Sequence, residues 1–220
     1  MIPSRIQKNL DEVRRRIAAA AQRAGRSPED VRLIAVTKTV GIEEARILHD
    51  LGVEDLGENR VHIAREKIDA LPDTVRWHMI GNCQRRKARD TVQLFDVVDA
   101  VDRLPLAEAL EQRCQEQDKV LQVLLEVNVY GEQAKHGFAP DEVAPALDRI
   151  QRFERLDVQG LMTMAPFVDD PETVRPVFGR LRELAKGLGL PEVSMGMTND
   201  FEVAIEEGAT QVRIGTALFA

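Results

Sequence analysis

Three kinds of residue in this 220-residue chain have the types and spacing to do chemistry. The first is a lone ammonium, Lys38, which follows the apolar run "VRLIAVT" beginning at Val31. A lysine amine at a strand end can add to a carbonyl carbon and hold it covalently. The second is a set of small residues near the C-terminus: Ser194, Gly196 and Thr198 in "SMGMTND", and Gly215 and Thr216 in "RIGT". Short side chains leave backbone N–H groups free to cradle a phosphate, although the same spacing also suits a tight turn with capping residues. The third is Arg213, a permanent cation that opens the second of those stretches.

What must position them can be read from the rhythm of the chain. Ile6, Leu10, Val13 and Ile17 recur at helical spacing, and Gly25 suits the stop of that first helix. Eight apolar runs then alternate with helical stretches. They begin at Val31, Val53, Val75, Phe95, Leu121, Leu156, Glu192 and Gln211. Strands alternating with helices imply right-handed crossovers and a parallel sheet. Eight such units predict a closed (β/α)8 TIM-type barrel with an extra N-terminal helix, the chain forming one domain over 1–220. A doubly wound open sheet is the competing arrangement.

Active sites of such barrels form at the C-terminal ends of the strands. The residues at those ends are Lys38, then Glu58 and Asn59, His78 and Gly81, Asn128 and Lys135, and the two small-residue stretches. Residues Thr198 or Asn199 are expected to cap the helix in "TNDFEVAIEEG". Closure sets strand one beside strand eight, so Lys38 is expected to face Arg213, with the phosphate cradle roughly 5–10 Å away. A small phosphorylated carbonyl compound fits that span.

Composition excludes several classes. A formal net charge of −7 argues against a nucleic-acid groove. The run Arg85 to Arg89 reads most simply as a solvated helix face. No window approaches a membrane span. Cys83 and Cys114 fit neither a metal spacing nor a disulfide framework, which points to a cytoplasmic protein with reduced thiols. His49, His62 and His136 have no metal spacing. Trp77 reads as core, while Met162, Met164, Met195 and Met197 suit either a pocket rim or core filling. No apolar stripe demands a partner, so a monomer is expected.

The motifs "AVTKTV", "LGENRV", "WHMIG", "GLMTM", "SMGMTND" and "VRIGTALF" occur in one order along nearly the whole chain. In these the sequence resembles the pyridoxal-phosphate homeostasis family, single-domain relatives of the alanine-racemase N-terminal barrel. The resemblance implies pyridoxal 5′-phosphate as cofactor, held as a Schiff base on Lys38. It implies that Ser194, Thr198, Gly215 and Thr216 hold the phosphate, that Arg213 faces the pyridine nitrogen, and that Asn59, His78 and Met197 line the pocket. Departures are local: "GNCQRRKAR" lacks the leucine before the glutamine and the asparagine two residues after it, and "MTND" replaces "MSxD".

A carrier or buffer of the cofactor is expected rather than an enzyme, with apo forms of pyridoxal-phosphate enzymes as recipients. A pyridoxal enzyme working at an α-carbon wants a protonated ring nitrogen and an acid or base on each face served. An arginine cannot accept a proton, so at the ring nitrogen it weakens the electron sink. Related racemases draw a second acid/base from another domain, for which this chain has no room. The enzyme alternative is a racemase-like protein using Lys38 with Tyr130, the one tyrosine of the chain.

Overall fold

A computed structural model describes residues 2–131 and 136–220. It is a closed barrel of eight parallel strands in chain order. The strands are β1 (Arg32–Val36), β2 (Asp55–Glu58), β3 (Arg76–Met79) and β4 (Val97–Val101). They continue with β5 (Leu121–Glu126), β6 (Leu156–Met162), β7 (Glu192–Ser194) and β8 (Gln211–Ile214). The helices are α1 (Ile2–Arg23), α2 (Ile42–Asp50), α3 (Val61–Ile68), α4 (Ala88–Leu94), α5 (Leu104–Glu116) and α6 (Val143–Ile150). Three more follow: α7 (Arg175–Gly187), α8 (Phe201–Glu206) and α9 (Thr216–Phe219).

Each expected strand is present and shorter than its apolar run: β2 and β4 start two residues later than their runs, and the others lose residues at the C-terminal end, where the chain turns into the loop. The extra helix α1 buries Ile6, Leu10, Val13 and Ile17, the stripe its spacing announces. It ends at Arg23, and two residues on lies Gly25, whose φ of +66° is open to glycine at no steric cost. Arg16 and Arg23 of α1 pair with Glu202 and Glu206 of α8. The extra helix is thereby tied across the seam where β1 meets β8. A large shared core lies between sheet and helices, while a small one of Ala100, Leu124 and Met162 fills part of the barrel interior.

Closure pairs Arg32 with Gln211, Leu33 with Val212, Ile34 with Arg213 and Ala35 with Ile214. This register corrects one expectation. The residue level with Arg213 is Ile34; Lys38 stands four residues further along, in the turn beyond β1. A charged run-out and a buried arginine therefore occupy different heights of the same seam.

β6 and β7 approach so closely at Gly160 that a Cβ there would lie 1.9 Å from the Glu192 carbonyl oxygen. Only glycine fits that crossing.

Candidate functional site

The barrel interior carries buried charged side chains, among them His78, Asp99, Glu126 and Arg213. Alternate strand positions face inward, and here they bring Asp55, His78 and Asp99 into one line. His78, on β3, has no exposed surface. Its Nδ1 lies 2.9 Å from Asp99 Oδ1 and its Nε2 lies 2.9 Å from Asp55 Oδ1. Burial alone would strip its proton. The two flanking carboxylates outweigh that penalty and raise its pKa to about 9. The other Asp99 oxygen, Oδ2, is buried without a hydrogen-bond partner among the described residues.

Next along the interior is Arg213, 4% exposed. Its Nη1 donates to Ser194 Oγ at 2.6 Å and its Nη2 to the Thr163 carbonyl at 2.8 Å. One guanidinium thus spans β8, β7 and the residue following β6. Burial lowers its pKa, against the opposing pull of Asp99, Asp200 and Glu126. Glu126, at the end of β5, is buried; desolvation and the nearby Asp102 charge raise its pKa, while His136, Arg213 and Arg103 pull the other way.

The small-residue stretches lie where β7 and β8 run out. Gly196 has φ +95°, and a Cβ on it would meet Ala204 Cβ at 2.7 Å. That close approach seats α8 against the strand end, and the Gly196 carbonyl accepts the Arg213 N–H at 3.0 Å. The helix begins later than expected: its N-cap is Asp200, one residue after Asn199 and two after Thr198. Asp200 Oδ1 accepts from the Met197 N–H at 2.6 Å, so a carboxylate closes the turn holding Thr198 and Asn199. Gly215 caps α9, and a Cβ on it would sit 3.3 Å from Val36 Cβ. Lys38 and Thr216 therefore leave adjacent strands side by side, both exposed. Leu218 N–H is spent on the Gly215 carbonyl at 2.9 Å, so at the start of α9 it is the N–H groups of Thr216 and Ala217 that lack an acceptor within the helix.

The remaining candidates fall in different places. Asn59 is half-buried behind Gly81, where a Cβ would come within 2.7 Å of Asn59 Cβ. Met197 is half-buried, Met164 exposed, and Met162 and Met195 belong to the core. Ser194 has no exposed surface and its hydroxyl is engaged by Arg213. Trp77 and Cys83 are buried, the cysteine against Thr91 Oγ1 at 3.3 Å. Arg85, Arg86, Lys87 and Arg89 are exposed. Tyr130 is 58% exposed, and Lys135 lies outside the described residues. Among the described residues no group of His, Cys, Asp or Glu is placed to hold a metal, and no helix is long and apolar enough to cross a membrane.

Sequence reasoning missed Asp55, Asp99 and the pair Glu58–Lys67. For the two aspartates the signal was a carboxylate inside a strand run, Asp55 on β2 and Asp99 on β4, at the strand parity that faces the barrel interior. A separate cavity of about 450 Å³, lined by Arg26, Glu29, Asp30, Arg32, Glu192 and Thr210, opens at the N-terminal strand ends. It is on the face opposite Lys38, so it takes no part in this site.

The family described as Alanine racemase, N-terminal domain, matches residues 8–220. The Pyridoxal phosphate homeostasis protein of Aquifex aeolicus is 41% identical over 219 residues, covering 96% of both chains. The structure of PipY from Synechococcus elongatus PCC7942, with PLP bound, is similar with a TM-score of 0.85 and 30% identity, over 98% of this chain and 100% of that one. An alanine racemase of Clostridium difficile 630 shares the fold, with a TM-score of 0.77 and 15% identity over 98% of this chain and 56% of that one.

Proposed function

We propose, because this chain belongs to the alanine racemase N-terminal domain family, that its barrel binds pyridoxal 5′-phosphate and serves the intracellular homeostasis of that cofactor. The observation that carries the reading is the seam between β1 and β8. There Lys38 and the Gly215–Thr216 amides leave adjacent strands, above an arginine fixed by two hydrogen bonds. Its relatives' names, homeostasis protein and PipY with PLP bound, support the same assignment.

When bound, the cofactor supplies an aldehyde that an amine can capture reversibly and a pyridine ring that can draw electrons. Lys38 supplies the amine. Thr198, Gly215 and Thr216 supply donors for the phosphate, and the glycines keep the cradle open where a Cβ would crowd Val36 or α8. Arg213 presents a cation that cannot take a proton toward the ring nitrogen. Ser194, which the resemblance gives to the phosphate, we assign to holding Arg213, since its hydroxyl is buried on that guanidinium. Asn59 and Met197 are assigned to the surroundings of the ring, while His78 is fully buried between Asp55 and Asp99.

Carriage of the cofactor, with transfer to apo-enzymes, fits this set better than turnover. A permanent cation at the ring nitrogen weakens the electron sink, and Tyr130, the racemase-like alternative's second acid/base, is 58% exposed. The reading also takes the protein as a cytoplasmic monomer, with two buried unpaired thiols suited to a reducing compartment.

The test is direct. Purified protein incubated with pyridoxal 5′-phosphate should absorb in the visible, and borohydride followed by peptide mapping should fix the adduct on Lys38. Lys38→Ala should lose it; retention of the same adduct refutes the assignment. Incubation with single amino-acid enantiomers and chiral analysis decides between carrier and racemase, and turnover of several per second would sink the carrier reading.

A further inference from the structure

We propose that Lys67 is a positioning residue for Lys38, acting through a buried network behind the sheet. The inference rests on the reading of Lys38 as the capturing amine. Lys67 lies on α3 with its side chain 3% exposed, and its partner Glu58 closes β2 with none. Lys67 Nζ donates to Glu58 Oε1 at 2.5 Å and to the Thr37 carbonyl at 2.7 Å. Thr37 Oγ1 donates to the same Glu58 oxygen at 2.7 Å.

Thr37 is the residue before Lys38, and every polar atom it has is held. Its N–H donates to the Gly57 carbonyl at 3.0 Å, and its carbonyl also accepts from Val40 N–H at 3.1 Å. The second bond closes a four-residue turn, 37–40, with Lys38 at its second position. Lys67 therefore anchors the first residue of the very turn that carries the reactive amine.

Stability is a poor reason for such a pair. Two charges lose their hydration on burial, and apolar residues of similar volume commonly do as well or better. Here Glu58 Oε2 is buried without a hydrogen-bond partner among the described residues, which makes the arrangement costlier still. What an apolar pair could not do is bond the Thr37 carbonyl and hydroxyl together. Lys67 is itself too buried to compete for an aldehyde at the mouth; its effect on chemistry has to run through Thr37. A displacement of about 1 Å in a reacting group can cost on the order of a hundredfold in rate.

The experiment compares wild type with Thr37→Val, Thr37→Ser, Lys67→Met and the double variant Lys67→Met/Glu58→Leu. Three readouts are taken. One is the rate of pyridoxal 5′-phosphate capture, followed by visible absorption and mapped after borohydride. The second is non-covalent binding of pyridoxine 5′-phosphate, which lacks the aldehyde. The third is acetic anhydride labelling of Lys38 in cofactor-free protein, relative to the exposed Lys8 on α1.

Thr37→Val and the folded double variant should capture the cofactor on the order of 10- to 100-fold more slowly. Pyridoxine 5′-phosphate binding should stay within about twofold, the Lys38/Lys8 labelling ratio should shift, and Thr37→Ser should restore the wild-type rate. A double variant that recovers both stability and capture rate overturns the inference, as does Thr37→Val capturing at the wild-type rate with an unchanged labelling ratio. If wild type itself forms no adduct on Lys38, the fault lies in the capture reading, and the labelling ratio still decides the positioning role. Should Lys67→Met fail to fold, the threonine variants carry the decision.

Discussion

His78 should keep its proton well above neutral pH, and the fold should weaken as that proton leaves. The ordinary imidazole value is 6.5 and the folded value is raised to about 9. Each pH unit separating the two corresponds to about 1.4 kcal/mol, so the clamp between Asp55 and Asp99 contributes about 3 kcal/mol when fully charged. The folded value lies above the unfolded one. Below pH 6.5 both states bind the proton and the contribution is complete. Between 6.5 and about 9 the unfolded chain releases it first, so stability falls with pH; above 9 the contribution is gone. The assay is urea unfolding of wild type and His78→Gln from pH 6 to 10. The difference between the two curves should decline by about 3 kcal/mol across that window. In parallel, NMR of the imidazole should give a midpoint near 9, moved down in Asp55→Asn because one of the two carboxylates is lost. A midpoint below 7, or a difference curve flat across the window, refutes the reasoning.

Two further substitutions test the frame around the site by thermal or urea unfolding. Gly160→Ala places a Cβ 1.9 Å from the Glu192 carbonyl oxygen and should cost more than about 4 kcal/mol or prevent folding; a loss under 1 kcal/mol would mean that β6 and β7 can separate freely. Ser194→Ala removes the acceptor of Arg213 Nη1 and should cost about 1–3 kcal/mol, with weaker retention of cofactor because the guanidinium is held by Thr163 alone; unchanged stability would mean the bond is not formed.

Much of this protein was legible from its chain because the signals are local. Helical spacing in α1 and eight apolar runs follow from the periods of helix and strand, which each residue carries with it. Strand ends are the functional end of such a barrel, so Lys38, Arg213 and the small residues after β7 and β8 could be singled out before any contact was known. The resemblance in six motifs then supplied the cofactor. What the chain could not display is relative height and partnership. The register of the β1–β8 seam places Ile34, four residues before Lys38, beside Arg213, because closure fixes how far one strand slides along the next. Glu58 read as a polar residue at a strand end, yet it points behind the sheet to Lys67, nine positions away on α3. His78 read as a pocket histidine; only packing shows both its nitrogens on carboxylates from strands to either side. Asp200 rather than Thr198 caps α8 because the tight approach at Gly196 decides where that helix can start. Periodicity is a property of neighbours in sequence, whereas charge pairing and burial depend on neighbours in space, and these exist only once the barrel has closed.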